Sequence, residues 1–412
     1  MNNTSLVDNI KSKGLFYGCV LFATFPLFGM KVQVFLLITL AVLALAQAGL
    51  NQFKNSKIAN RENIGFIGLF TCLLLGLLYT ENMVEGWSII ERSTSIVLFP
   101  ILFSLSYKNI TAKQLDWILK TFVASVFLLS LYIIVAYNFI DIDAAKNNNL
   151  TLRKSIGAIV GKQHAYVNIL VFTASSILLF FTNRYYILKN KKGLLTSLLL
   201  IVFFLVFGFF VGTRMPILAF LIVAFLSIFK FVQISLVKKS ILALSLLIVF
   251  SISIFKVPVL KKRFGMLTQN ISSVNATNKN KTPRLKINSC SLPLCKANPI
   301  LGMGTGDVVD ELVECYKSNN HWGALSLYKY NAHNQYISYH LRAGALGLVF
   351  FLFILFCLGN TRNQGQLPIL LAVYFSLCFL TENIMERQLG ILLFCFLSAL
   401  IMVGVKNEIS PQ

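Results

Sequence analysis

Apolar runs about as long as one bilayer crossing recur from one end of this chain to the other, parted by short charged breaks. In the first half they fall near 15 to 30, 32 to 50, 63 to 80, 93 to 107, 117 to 140 and 166 to 182. In the second half they fall near 194 to 212, 215 to 230, 240 to 257, 335 to 358, 367 to 381 and 389 to 405. The reading is an all-α polytopic membrane protein with about twelve crossings at roughly 20 residues each. Composition agrees: 56% of the 412 residues are apolar and 13% are charged. A soluble domain carries about twice that share of charge, which excludes a water-soluble globular enzyme. The first run follows Lys11 and Lys13 and has no small-residue cleavage site behind it, so it reads as an anchor and not as a removable signal.

Charge in the short breaks sets the expected orientation. Lys54, Lys57, Arg61, Lys108, Lys113, Arg184, Lys189, Lys191, Lys192, Lys230, Lys238, Lys239, Arg362 and Lys406 alternate with breaks that hold Lys31, Arg92, Arg214 and Arg387. The second set also gathers Glu81, Glu85, Glu91, Glu382 and Glu386. By the positive-inside rule both termini are cytoplasmic. The net charge of +22, which in a soluble protein would suggest nucleic acid, here reports topology and contact with anionic lipids or phosphates, and no nucleic-acid partner is expected.

The sequence divides into helices 1 to 9 over residues 1–257, a large outer loop over 258–334, and helices 10 to 12 with a tail over 335–412. The outer loop is basic, and Lys261, Lys262 and Arg263 at its start are candidate contacts to phosphate-bearing lipids or sugars. Its polar stretch over 270–281 reads as a loop, and Arg284 to Tyr316 reads as one or two short helices lying on the outer membrane face. Of the eight cysteines, Cys290, Cys295 and Cys315 fall in this loop. Three can form at most one internal bond, and Cys290 with Cys295 is the expected pair.

One arginine and the four histidines stand out chemically. Arg214, in Val211-Gly212-Thr213-Arg214-Met215-Pro216, lies between two apolar runs with almost no loop. A guanidinium there is expensive unless it faces a cavity or partner, and its rigid fork of donors suits a pyrophosphate. His333, in Ala332-His333-Asn334-Gln335-Tyr336, opens a membrane helix where water meets a lipid-borne substrate, which suits a general base or hydrogen-bond donor near neutral pH. His164 and His321 also fall on the expected outer side, and His340 lies inside the tenth span. The glycine-rich Asn298-Pro299-Ile300-Leu301-Gly302-Met303-Gly304-Thr305-Gly306-Asp307 stretch lacks dinucleotide-binding spacing and reads as a backbone turn. Glu91 beside Arg92 and Glu386 beside Arg387 read as ion pairs closing helix tops rather than as catalytic groups. No His, Cys and carboxylate cluster has metal spacing, so no metal and no other cofactor is expected.

Taken together, the crossings, the late outer loop, the Gly212-Thr213-Arg214 turn, Arg284-Leu285 ahead of Asn298-Pro299-Ile300-Leu301-Gly302-Met303-Gly304, and His333-Asn334-Gln335-Tyr336 leading to Gly344-Ala345-Leu346-Gly347-Leu348 resemble the O-antigen ligase family and its polymerase relatives. The resemblance implies a helical fold like that of the C-type glycosyltransferases, in the bacterial inner membrane, with the site at the periplasmic face. It implies a glycan carried on undecaprenyl pyrophosphate as donor and lipid A–core as acceptor, with membrane lipids as surroundings. It assigns essential roles to Arg214, Arg284 and His333, the arginines gripping pyrophosphate and the histidine serving the acceptor hydroxyl in an inverting, metal-independent transfer. His164, Arg342 and Asn334 are further substrate-binding candidates. A polymerase would use the same site with a second lipid-linked repeat as acceptor. A transporter or flippase, the rival of another class, predicts polar residues spread through the spans, whereas the charges here cluster at helix ends and outer loops.

Overall fold

The helices follow from apolar runs that supply their own backbone hydrogen bonds, the condition for crossing lipid. A computed structural model describes residues 6–139, 152–257, 260–261, 265, 283–319, 326–361 and 365–405. Lys262, Arg263, His321 and the polar stretch over 270–281 lie outside the described residues. In chain order the helices are α1 (Leu6–Phe22), α2 (Met30–Leu50), α3 (Arg61–Leu75), α4 (Met83–Ser93), α5 (Ser95–Leu105), α6 (Ala112–Phe139), α7 (Leu152–Val160) and α8 (His164–Ile187). They continue with α9 (Lys191–Val211), α10 (Arg214–Leu226), α11 (Leu236–Lys256), α12 (Pro283–Ala297), α13 (Val308–Ser318), α14 (Gln335–Gly359), α15 (Gln366–Phe379) and α16 (Gln388–Ala399). Among the described residues nine helical segments are long and apolar enough to cross a membrane, and two apolar helices, Gln366–Phe379 and Gln388–Gly404, are shorter. The chain is an all-α, multi-pass membrane protein.

Two runs sit differently from the sequence reading. The run expected at 93 to 107 is the second half of a longer segment, Met83–Leu105, in which α4 and α5 follow one another. Its charged first half is tolerated because Arg92 pairs with Glu85 at 2.9 Å, two helical turns back on the same face. The run expected at 15 to 30 starts earlier, at Leu6, and breaks after Phe22, where Pro26 sits in a short 3-10 turn.

α8 is the axis of the bundle, with 83% of its apolar window buried, whereas α11 lies at the periphery with 11%. Its polar residues are spent internally: Thr173, Ser175 and Ser176 each donate to the carbonyl four residues back at 2.8–2.9 Å. Lipid tails are as apolar as side chains, so these helices are held by close packing. Phenylalanine supplies much of it, as where Phe351, Phe375, Phe379 and Phe394 meet edge to face with centroids 5.0–5.2 Å apart. Such pairs contribute roughly 0.5–1.5 kcal/mol each beyond burial.

The one or two helices expected between Arg284 and Tyr316 are present, as α12 and α13, but their staple is not the expected one. The disulfide joins Cys290 to Cys315, with Cα atoms 5.9 Å apart, and Cys295 is free. Cys290 and Cys295 share α12, where five residues of helix separate them by about 7.5 Å along the axis and turn their side chains apart. Burial pushes the Cys295 thiol up to about 11, which leaves it unreactive.

Candidate active site

Arg214, Arg284, His333 and His164 are linked through neighbouring charges and contacts, and each stands at a helix boundary. α9 ends on Gly212, whose left-handed φ of 67° reverses the chain at once, so that α10 can begin on Arg214. Asn168 of α8 fixes this turn by donating to the Gly208 carbonyl at 3.2 Å and to the Thr213 hydroxyl. Pro216 lies in the first turn of α10, where no N–H is needed. Arg214 is half-buried and lies within the electrostatic reach of Arg284.

Arg284 stands in the first turn of α12 and donates to the Thr381 carbonyl at 3.2 Å. α12 is held by the disulfide and by a small core of Ile287, Cys290, Val308, Leu312, Tyr316 and Leu341. α13 is tied in turn to the start of α4, where Asp307 accepts from the backbone N–H groups of Glu81 and Asn82 at 3.0 and 2.8 Å. The glycine-rich stretch is the backbone turn its sequence suggests, packed against a kink in α14. Met303 N–H donates to the Leu341 carbonyl at 2.7 Å and Ala345 N–H to the Pro299 carbonyl at 3.0 Å. At Gly344, φ is 61° and a Cβ would stand 1.8 Å from the Ile300 carbonyl oxygen, so only glycine fits.

His333 precedes α14 in a left-handed conformation, φ 45°, which is uncommon for a residue with a side chain. Asn331 stabilises it by accepting the His333 N–H at 3.1 Å while its own amide donates to Glu386 at 2.5 Å. Glu386 also accepts from Ser338 at 2.5 Å, from Asn383 at 2.8 Å and from Arg342 at 3.3 Å. Burial works to raise the Glu386 carboxyl, but Arg342 and these three donors outweigh it and hold it below the ordinary carboxylate range. The expected pairs of sequence neighbours are therefore replaced: Arg92 pairs with Glu85, and Glu386 with Arg342. Adjacent residues on a helix point about 100° apart and do not face each other.

Residues 199–352 match a family model described as O-antigen ligase. This segment belongs to the O-antigen ligase family. A comparison with curated proteins finds no match. The O-antigen ligase segment runs from α9 into α14 and so contains Arg214, Arg284, His333, Asn334 and Arg342, whereas His164 precedes it and the 381–386 turn follows it.

The other candidates divide by surroundings. His164 is the first residue of α8 and lies within the electrostatic reach of Glu382. Asn334 is the N-cap of α14, its side-chain oxygen accepting from Tyr336 and Ile337 N–H at 3.0 and 3.2 Å. Arg342 has a side chain 4% exposed and spends it on Glu386 and the Thr305 carbonyl, tying the O-antigen ligase segment's glycine-rich turn to the helix kink. Lys261 is exposed, with its N–H donating to the Val257 carbonyl. Among the described residues no group of three or more His, Cys, Asp or Glu could hold a metal ion.

Glu382 is the residue that sequence reasoning passed over as part of an acidic rim. Its carboxylate stands 3.7 Å from His333 Nδ1, with the two side chains 29% and 31% exposed. The neighbouring Thr381 carbonyl receives Arg284, and the Asn383 carbonyl receives the Tyr166 hydroxyl at 3.0 Å. The 381–383 turn is thus where α8, α12 and the His333 loop meet. Nothing in Thr381-Glu382-Asn383-Ile384-Met385-Glu386 distinguishes Glu382, which faces His333, from Glu386, which is spent on structure.

Proposed function

We propose that this protein is an O-antigen ligase, moving a glycan from undecaprenyl pyrophosphate to lipid A–core at the periplasmic face of the bacterial inner membrane. One observation carries the reading: Arg214 and Arg284, within each other's field, each stand in the first turn of a helix, and Arg284 reaches the turn that meets the His333 imidazole. Like charges brought together in a membrane protein call for an anion between them. Pyrophosphate fits, because guanidinium forks match phosphate oxygens and the N-termini of α10 and α12 add backbone N–H groups and positive dipole ends. Arg214 and Arg284 grip the pyrophosphate and neutralise the charge it gains on leaving, which lowers the barrier without a metal. His333 takes the proton of the acceptor hydroxyl, whose oxygen attacks the anomeric carbon from the face opposite the leaving group and inverts it. On this reading residues 258–334 form the periplasmic loop and both termini are cytoplasmic, an orientation that the lysine and arginine bias of the short breaks supports.

The test is incubation of the purified protein with undecaprenyl-pyrophosphate glycan and lipid A–core, following both lipids by gel shift and mass. Glycan on the core is the expected product. Longer glycan still on undecaprenyl pyrophosphate would make the protein a polymerase, and the absence of both products would overturn the reading.

A further inference from the structure

We infer that Glu382 is the positioning residue of the transfer, the carboxylate that aims His333 and stabilises the imidazolium it becomes. The inference rests on the glycosyl-transfer reading above and names a residue outside the matched family segment. The imidazole presents Nδ1 to Glu382 at 3.7 Å, longer than a hydrogen bond, and such contacts tighten when substrate binds. With Nδ1 turned to a carboxylate, the tautomer that carries its proton there is favoured and Nε2 is left free to accept. Both groups are about 30% exposed, open enough for an acceptor sugar to reach and covered enough for the charge pair to matter.

Among the described residues, the loop offers the ring no other charged partner. Asn331 holds the His333 backbone, not the imidazole, and Tyr330 meets the ring at 5.5 Å without supplying a charge. Among the described residues, the charged and titratable groups around this place include Glu382, Glu386 and Arg387 from the turn after α15, Arg342 from α14, Arg284 from α12, and His164 and Tyr166 from α8. Glu386 and Arg342 neutralise each other, leaving Glu382 as the carboxylate opposite the imidazole. In the step itself the acceptor O–H breaks and its proton goes to His333 Nε2. The freed oxygen pair forms the bond to the anomeric carbon, the bond from that carbon to pyrophosphate breaks, and its electron pair leaves on the pyrophosphate toward Arg214 and Arg284. The imidazolium, held against Glu382, then returns its proton to water.

Full-length wild type, Glu382→Gln, Glu382→Asp and Glu382→Ala, in detergent with both lipid substrates, test this. Glu382→Gln keeps size and polarity but loses the charge, so kcat is expected to fall about 100-fold or more with donor KM little changed, and Glu382→Asp should recover part. A merely structural role would instead lower the amount and thermal stability of the folded protein, with no recovery specific to the carboxylate of Glu382→Asp. The rate of His333 modification by diethyl pyrocarbonate at one fixed pH, read by peptide mass, reports the surroundings of the ring with no substrate present, and Glu382→Gln should change it. Unchanged kcat and an unchanged His333 modification rate in Glu382→Gln would overturn the inference. A modification rate that changes in a protein that transfers no glycan at all would overturn the transfer reading itself, and the assigned role would fall with it.

Discussion

Glu386→Ala removes the centre of the network under His333, and its cost can be worked from the contacts. Three hydrogen bonds and one ion pair end on this carboxylate. The three donors can partly regroup around a water, since a cavity of about 50 Å³ adjoins Glu386, Arg342, Arg92 and Gln335. Arg342 cannot regroup as well: its side chain is 4% exposed, and the Thr305 carbonyl is the acceptor left to it. Leaving a buried charge without its partner costs about 3–5 kcal/mol, and the cavity places the expectation toward the lower end. Thermal or denaturant unfolding of the purified protein in detergent measures this, with Arg342→Met and the double variant completing a cycle. The double variant should be more stable than Glu386→Ala alone, because it also removes the stranded charge. A loss under about 1 kcal/mol for Glu386→Ala, or a double variant whose loss equals the sum of the singles, would refute the reasoning. The pH dependence has a definite sign: with the folded carboxyl below its ordinary value of 4.5, this stability is fully present above that value and is lost as pH falls through the lower folded one.

Three further outcomes are expected. Arg214→Ala should cost about 100- to 1,000-fold in transfer with folding intact, and Arg214→Lys should not restore it, because an ammonium lacks the guanidinium fork; wild-type rates in either would remove Arg214 from the site. Cys290→Ser should lower stability by about 2–4 kcal/mol under oxidising conditions, the constraint of a bond spanning 25 residues, and Cys295→Ser should not; equal effects would contradict the Cys290–Cys315 pairing. Transfer should persist in excess EDTA, and loss restored by Mg²⁺ would show that the arginines do not act alone on the pyrophosphate.

The sequence by itself determined the membrane class and most of the helices, and it pointed to the residues of the candidate site. Crossing lipid demands long apolar runs with internal backbone bonding, and that demand is written residue by residue, so the runs that became α2, α8 and α14 are legible without any tertiary information. Arg214 was legible for the same reason, since a charge between two apolar runs is costly wherever the helices end up. Pairings across the fold were not legible. Cys290 bonds to Cys315 and not to its nearer neighbour because helix geometry, not separation in sequence, sets which sulfurs can meet. Glu382 and Glu386 lie four residues apart in one polar turn, and either could have faced His333. Tertiary packing decided it: the turn after α15 aims one carboxylate into Arg342 and its donors and the other at the imidazole, a choice fixed by where α14 and α15 cross and not by either residue's neighbours in the chain.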